Sequence, residues 1–313
     1  MSWQTLASRT LFPFTLCAGL GAALWLSSDS IGISPDDAAI LVLVASGFWI
    51  WTWEFMLPYR KHWNKSDGDL LTDAIHMAAQ LIITRLAKAL YILILFPLTI
   101  WLGSRFGAEN LWPHEWPLLA QLMLVLVLAE FGRYWVHRAA HKVPLLWNFH
   151  AVHHSPNRLY WFNAGRFHPI EKFFFQIPEL LPFILLNPAP EILMLYLVTN
   201  GIHGFFQHSN IQQRLGWLNY VFSMSELHRW HHSKVIAQSD NNFGNILILW
   251  DMVFGTFYWP RDREVGSIGV MNPEYPKNYL GQLLAPFGDT VDKPDDYKER
   301  ESYYHQRAME EPG

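Results

Sequence analysis

The sequence predicts an all-α integral-membrane protein: a bundle of transmembrane helices carrying a histidine-rich helical cap. Three observations predict it. Hydrophobic residues make up 51% of the 313-residue chain and charged residues only 16%, against roughly 25% charged in a typical soluble domain. The apolar residues gather into stretches long enough to cross a hydrocarbon core, for which about 20 residues suffice. Fifteen histidines are present, and most fall in tight clusters with the spacing of one helical face.

Taken in order, residues 11–27 form the first apolar stretch. No small-residue cleavage site follows it and further apolar segments come later, so it reads as a transmembrane helix rather than a signal peptide. Residues 38–57 form a second, with Trp49, Trp51 and Trp53 at its far end, where an interfacial aromatic belt belongs. Residues 70–102 exceed one span and carry Arg85 and Lys88 midway; an interfacial helix leading into a span from about Ala87 is expected. Residues 118–135 form another span. Residues 173–186 and 191–202, separated by Asn187, Pro188, Ala189 and Pro190, read as a helical hairpin dipping into the bilayer. The chain therefore divides into N-terminal transmembrane helices (1–116), a histidine-rich region with a span and hairpin (117–260) and a polar tail (261–313), whose end from 292 reads as solvated.

Basic residues mark the cytoplasmic side. The connection 27–37 holds three Asp and no Lys or Arg, so it lies outside; Arg60, Lys61 and Lys65 place the next connection inside. Residues 104–117 are outside again, and Arg133, His137 and Arg138 end the fourth span inside. Everything from His137 onward, the hairpin excepted, is expected on the cytoplasmic face. A net charge of −4 without a basic patch gives no argument for nucleic acid. The single cysteine, Cys17, cannot form an intrachain disulfide or a cysteine-based metal site, and reads as a small buried hydrophobe.

Three clusters hold eight of the fifteen histidines: His137 and His141; His150, His153 and His154; His228, His231 and His232. Positions i, i+3 and i+4 share a helix face, so each cluster offers two or three imidazoles from about one turn. Neutral imidazole suits iron, zinc and copper. Eight nitrogens are too many for one ion and suit two ions with four or five each. The H-E-x-x-H and G-x-S-x-G signatures of zinc proteases and serine hydrolases are absent.

The spacings H-x3-H, H-x2-H-H and H-x2-H-H, with Ser155 closing the second box and Asn242, Phe243, Gly244, Leu249, Trp250, Asp251, Phe254, Gly255 and Thr256 following the third, resemble the fatty acid hydroxylase/sterol desaturase superfamily. The resemblance covers about residues 117–260. It implies a di-iron centre on a transmembrane bundle, dioxygen as oxidant, a lipid substrate entering from the bilayer and an external electron donor. No stretch long enough for a cytochrome-like domain remains, so a fused one is not expected and the donor is expected to be a separate protein, or a pterin as in one branch of the superfamily. Such members supply further histidines between the second and third boxes. His208 is the foremost candidate. His203, five residues earlier and off the i, i+4 spacing, is a second, and His168 is a ligand or substrate-side residue.

Asp240, Glu226, Asp251 and Glu130 are candidates to orient the imidazoles through their outer nitrogens. Arg138, Arg166 and Arg229 would pair with such carboxylates or bind an anionic headgroup. His62, His76, His114 and His305 are read as non-ligands. The expected activity is oxidation of a lipid C–H bond, hydroxylation ahead of desaturation. A sterol, an acyl chain, an ether lipid and a polar headgroup all fit as substrate. The competing reading is a metal-handling membrane protein (transporter, sensor or store), which would place ionisable ligands along a path within the spans; here they lie beyond the span ends. The expected location is a bacterial inner membrane or the endoplasmic reticulum, the former favoured because no retention signal ends the chain.

Overall fold

The structure is a computed structural model describing residues 2–106 and 111–288. Eleven α-helices are present among them and no β-strand. The histidine His305 and the polar end from residue 292 lie outside the described residues.

Helix α1 (Trp3–Leu26) starts at Ser2, whose hydroxyl accepts from the Thr5 N–H. Helix α2 (Pro35–Met56) starts at Ser34 with Pro35 at its first position and Asp36 and Asp37 in the first turn, all favourable at a helix N-terminus. Helix α3 (Leu70–Phe106) is one continuous helix of 37 residues. The expected interfacial helix and separate span are therefore a single element. No Gly or Pro interrupts it before Pro97; of its midway charges, Lys88 pairs with Asp36 at 3.2 Å and Arg85 is exposed at a cavity between the helices. Helix α4 (Leu118–Lys142) runs past the apolar stretch and carries His137 and His141 on its last turns. These four helices are long and apolar enough to cross a membrane.

Short helix α5 (Pro144–His154) follows at once, with Pro144 at its first position. Helices α6 (Pro169–Leu186) and α7 (Pro190–His208) form the expected hairpin, which turns on Asn187 in the left-handed conformation (φ 48°). Four short helices complete the cap: α8 (Ser225–His231), α9 (Ile236–Ser239), α10 (Leu249–Val253) and α11 (Tyr279–Leu284).

Helices α1, α2 and α7 pack as one group and α3, α4 and α6 as another, with α4 also touching α7. The buried apolar core lies largely among α1, α2, α4 and α7. The outward faces expose Phe14, Val44, Phe48, Leu93, Ile94 and Leu119, an apolar belt that water would not tolerate and lipid does. Trp3, Trp49 and Trp51 are exposed towards the cap end of α1 and α2, as an interfacial aromatic belt requires. Cys17 is exposed on α1, not buried as expected: its neighbours Phe12 and Thr15 occupy the inward face.

Close helix crossings need small residues. A Cβ on Gly132 of α4 would fall 2.6 Å from Pro178 Cβ and 3.1 Å from the Pro178 carbonyl oxygen of α6. Gly132→Ala is expected to push α4 from α6 and lower stability by about 1–3 kcal/mol. Thermal unfolding in detergent reads this, and an unchanged midpoint would show that the crossing has slack.

Residues 261–288, expected to begin a polar tail, fold back over the cap. Val265 and Ile268 are buried with Trp63, Leu159 and Trp230, and Tyr275 and Ala285 pack on Ala151 and Trp147. The apolar spacing within this Pro-rich stretch is too irregular to show as a helix or strand pattern. Two buried ion pairs, Arg158–Asp69 at 2.7 Å and Arg166–Asp73 at 2.5 Å, tie the cap to the start of α3.

Candidate metal centre

Three helix ends converge in the cap. Helix α4 brings His137 and His141, α5 brings His150, His153 and His154, and α8 brings His228 and His231, with His232 as its C-terminal cap. His208 arrives at the end of α7. All nine are buried. They sort into two adjacent groups whose nitrogens lie within 4.8 Å of one another: His137, His141, His150, His154 and His231; and His153, His208, His228 and His232. The rings of His154 and His232 stack at 4.4 Å across the boundary between the groups.

Within each group Nε2 atoms face Nε2 atoms. His137–His150 are 3.1 Å apart, His141–His154 3.2 Å and His150–His154 3.1 Å in the first group. In the second, His208–His228 are 3.0 Å and His228–His232 2.9 Å apart. Two bonds of about 2.1 Å from one ion place neighbouring nitrogens roughly 3 Å apart, so this spacing fits a shared metal.

Six of the nine rings have an outer nitrogen facing an acceptor. His137 Nδ1 donates to the Phe243 carbonyl at 2.6 Å, His153 Nδ1 to the Arg166 carbonyl at 3.1 Å and His231 Nδ1 to the Asn241 carbonyl at 2.8 Å. His150 Nδ1 donates to Glu171 at 2.5 Å, His208 Nδ1 to Asn163 Oδ1 at 3.1 Å, and His141 Nδ1 faces Asp240 at 3.4 Å. A proton fixed on Nδ1 leaves the Nε2 lone pair inward, which is how metal-binding imidazoles are oriented. His231 Nε2 is buried without a hydrogen-bond partner, as are His228 Nδ1 and His232 Nδ1. An orphaned buried nitrogen is costly, and an ion held by the first group would satisfy His231 Nε2. The residues present therefore fit a two-metal centre.

Burial, reinforced by the neighbouring imidazoles, holds His150, His154, His228 and His232 well below the ordinary histidine value. Burial likewise lowers His153 and His231. Neutral imidazole is the form that binds metal. Burial alone would raise Asp240, but the contact with His141 and the ion pair with Lys142 outweigh it and keep its carboxyl below the usual range.

The structure does not bring His203 to either group. Its ring sits on the opposite side of α7 from His208, edge-on to Phe12 at 5.8 Å. Five residues along a helix turn a side chain well away from its predecessor. His168 is a helix cap: Nδ1 accepts from the Ile170 N–H and Nε2 donates to the Leu283 carbonyl, both at 3.1 Å. His62, His76 and His114 lie outside both groups.

Among the expected orienting carboxylates, Asp240 faces His141. Glu130 and Asp251 act one step further out. Glu130 accepts from the Asn245 N–H at 2.5 Å and the Ile246 N–H at 2.8 Å, and Asp251 from the Phe243 and Gly244 N–H groups at 2.8 and 2.7 Å. Together they fix the loop whose Phe243 carbonyl orients His137. Glu226 instead accepts from the Leu215 N–H and Asn219. Arg166 pairs with Asp73, Arg229 donates to the Ser209 and Ile211 carbonyls, and Arg138 donates to the Tyr134 hydroxyl. Sequence reasoning missed Glu171, which follows Pro169 at a helix start like many unremarkable acids. It also read Arg133 only as a topological charge.

Two cavities reach the histidines. One, of about 620 Å³, lies between α2, α3, α6 and α7; His137, His153, His208 and His228 line its inner end, and Asp36 and Lys88 lie at its far end. The other, of about 260 Å³, approaches His141 and His154 past Trp147, Lys142 and Asp240.

The profile of the fatty acid hydroxylase family matches residues 122–256. The ornithine lipid hydroxylase OlsE of Rhizobium tropici is 37% identical over 284 residues, covering 90% of this chain and 84% of that one. The chain belongs to the fatty acid hydroxylase family. Human alkylglycerol monooxygenase is 29% identical over 62% of this chain and 43% of its own length. A very-long-chain aldehyde decarbonylase of rice is 27% identical over 46% of this chain and 54% of its own length. No solved structure matches. In this family member, two buried histidine groups lie beside a cavity between the helices.

Proposed function

We propose that this membrane protein is a di-iron oxygenase that hydroxylates a polar, amino-acid-bearing lipid. The observation that carries the reading is the pair of buried histidine groups at the inner end of a cavity that runs between membrane-spanning helices. The similarity to an ornithine lipid hydroxylase over most of both chains supports the substrate class. The same family membership favours an oxygenase over a metal-handling protein.

His137, His141, His150, His154 and His231 would hold one iron, and His153, His208, His228 and His232 the other. Bound there, the irons would supply the activation of dioxygen that an unactivated C–H bond requires. The overall change is balanced: lipid C–H, dioxygen, two electrons and two protons give lipid C–OH and water. The protein's own residues do the remaining work. Outer acceptors aim most of the imidazoles, burial keeps them neutral and excludes bulk water, and the cavity admits the lipid from one side. The electrons come from a separate donor, and the smaller opening beside Trp147 leaves His141 and His154 approachable from the side away from the lipid. The positive-inside pattern supports a cytoplasmic orientation for this face, and the similarity to a bacterial lipid hydroxylase supports a bacterial inner membrane.

The test is turnover by the iron-supplied protein in nanodiscs containing ornithine lipid, with a surrogate ferredoxin donor and isotope-labelled dioxygen. A lipid product carrying one labelled oxygen is expected. Unchanged lipid, or oxygen derived from water, would overturn the reading.

A further inference from the structure

The cavity wall beside the histidines carries charge that a lipid tail could not use. Arg133 lies one turn before His137 on α4 and is 5% exposed. Its Nε and Nη1 are buried without a hydrogen-bond partner. The nearest carboxylate oxygen, Glu179 Oε2 of α6, is 3.9 Å from Nη1, beyond hydrogen-bond distance. The guanidinium instead sits over the Phe175 ring at 4.9 Å. Glu179 Oε1 accepts from Asn200 Nδ2 at 3.0 Å, and Asn200 Oδ1 accepts from Asn245 Nδ2 at 2.9 Å. Arg133, Glu179, Asn200 and Asn245 all line the same cavity as the histidines.

A buried guanidinium with two unsatisfied donors is costly to keep. An acyl chain seated beside it would leave that cost uncompensated. A group bearing both charges would not: a carboxylate matches the planar donor fork of arginine, and an ammonium matches the adjacent Glu179. Between the histidines and the Asp36–Lys88 end, the cavity wall includes Ile40, Leu43, Leu81 and Leu180. An apolar stretch between the histidine end and the Asp36–Lys88 end suits an acyl chain behind a headgroup seated beside the histidines.

We propose that Arg133 and Glu179 form the recognition subsite for a zwitterionic lipid headgroup, the guanidinium binding its carboxylate and the Glu179 carboxylate its ammonium. The identity of this ligand as the substrate rests on the function proposed above. Four residues of helix rise about 6 Å, so a headgroup held by Arg133 lies within a turn of His137, and the oxidised carbon belongs to the headgroup rather than to the distal tail. An ornithine acylated on one amine keeps one carboxylate and one ammonium, as the subsite requires.

The experiment is equilibrium binding under anaerobic conditions to the full-length, metal-loaded protein in nanodiscs. The probes are N-decanoylornithine, decanoylputrescine (no carboxylate) and N-decanoylnorvaline (no ammonium). The wild type is expected to bind N-decanoylornithine about tenfold or more tighter than either single-charge probe, the scale of one charge-assisted hydrogen bond. Arg133→Met should lose about tenfold for N-decanoylornithine while leaving decanoylputrescine unchanged. Glu179→Gln should lose a similar factor for N-decanoylornithine while leaving N-decanoylnorvaline unchanged. If Arg133→Met does not fold, Arg133→Lys, which keeps the charge but not the fork, should still weaken both carboxylate-bearing probes severalfold. Equal affinity of the wild type for all three probes, or a uniform loss across them in the variants, would overturn the subsite. Charge-selective binding without turnover would retain the subsite and remove the oxygenase; turnover without charge selectivity would do the reverse.

Discussion

His153→Ala is expected to lose about one metal ion per chain and to lower lipid hydroxylation by more than a hundredfold. His153 belongs to the smaller group, with His208, His228 and His232. Removing it leaves three nitrogens and a cavity in a buried site, and first-sphere losses exceed the 10–100-fold typical of outer-sphere ones. His231→Ala removes one nitrogen of five and leaves His137, His141, His150 and His154. That variant should retain more metal than His153→Ala after dialysis against a chelator. Metal analysis of both proteins, with circular dichroism to show that each is folded, reads the difference directly. Two tightly held metals and full turnover in both variants would mean that these groups are not the metal centre.

The second large effect is that of acid on the metal-free protein. His150, His153, His154, His228, His231 and His232 are held neutral by burial, each below its ordinary value of 6.5. With the folded values depressed, the unfolded chain binds more protons once pH falls below about 6.5. Stability is therefore full above that value and is lost progressively as pH drops toward the folded values. Six such groups act in the same direction, and one pH unit on one group is worth up to about 1.4 kcal/mol. Between pH 7.5 and 5.5 the unfolding midpoint of the chelator-stripped protein should fall on the order of 10 °C. Metal competes with protons for the same nitrogens, so the loaded protein should hold its midpoint further into acid. Parallel melting curves with and without metal check this; identical pH profiles would show that the imidazoles carry no metal.

Much of the architecture could be read from particular residues. Apolar runs near 20 residues with Asp36 and Asp37 at one end and Trp49 and Trp51 at the other specify a spanning helix, because lipid allows little else. The Asn187-to-Pro190 stretch marks a hairpin turn, since a left-handed residue followed by proline ends one helix and starts the next. The length of α3 was misread because its charges, Arg85 and Lys88, suggested a break. Lys88 finds its partner, Asp36, on α2, which local sequence does not reveal.

The sequence by itself determined that histidines would be presented in sets of two and three from helix faces, since a 3.6-residue period dictates that much. Only the tertiary structure decided how those sets divide. In the second box His150 and His154 go to one group and His153 to the other; in the third, His228 and His232 go together and His231 crosses over. Positions i and i+4 lie about 40° apart around a helix, whereas i+3 and i+4 lie about 100° apart. Each box can therefore serve two ions, but only the packing of α4, α5, α7 and α8 fixes which ring meets which. The same packing brought Glu171 to His150 and Arg133 to Glu179, contacts between helices that have no signature along the chain.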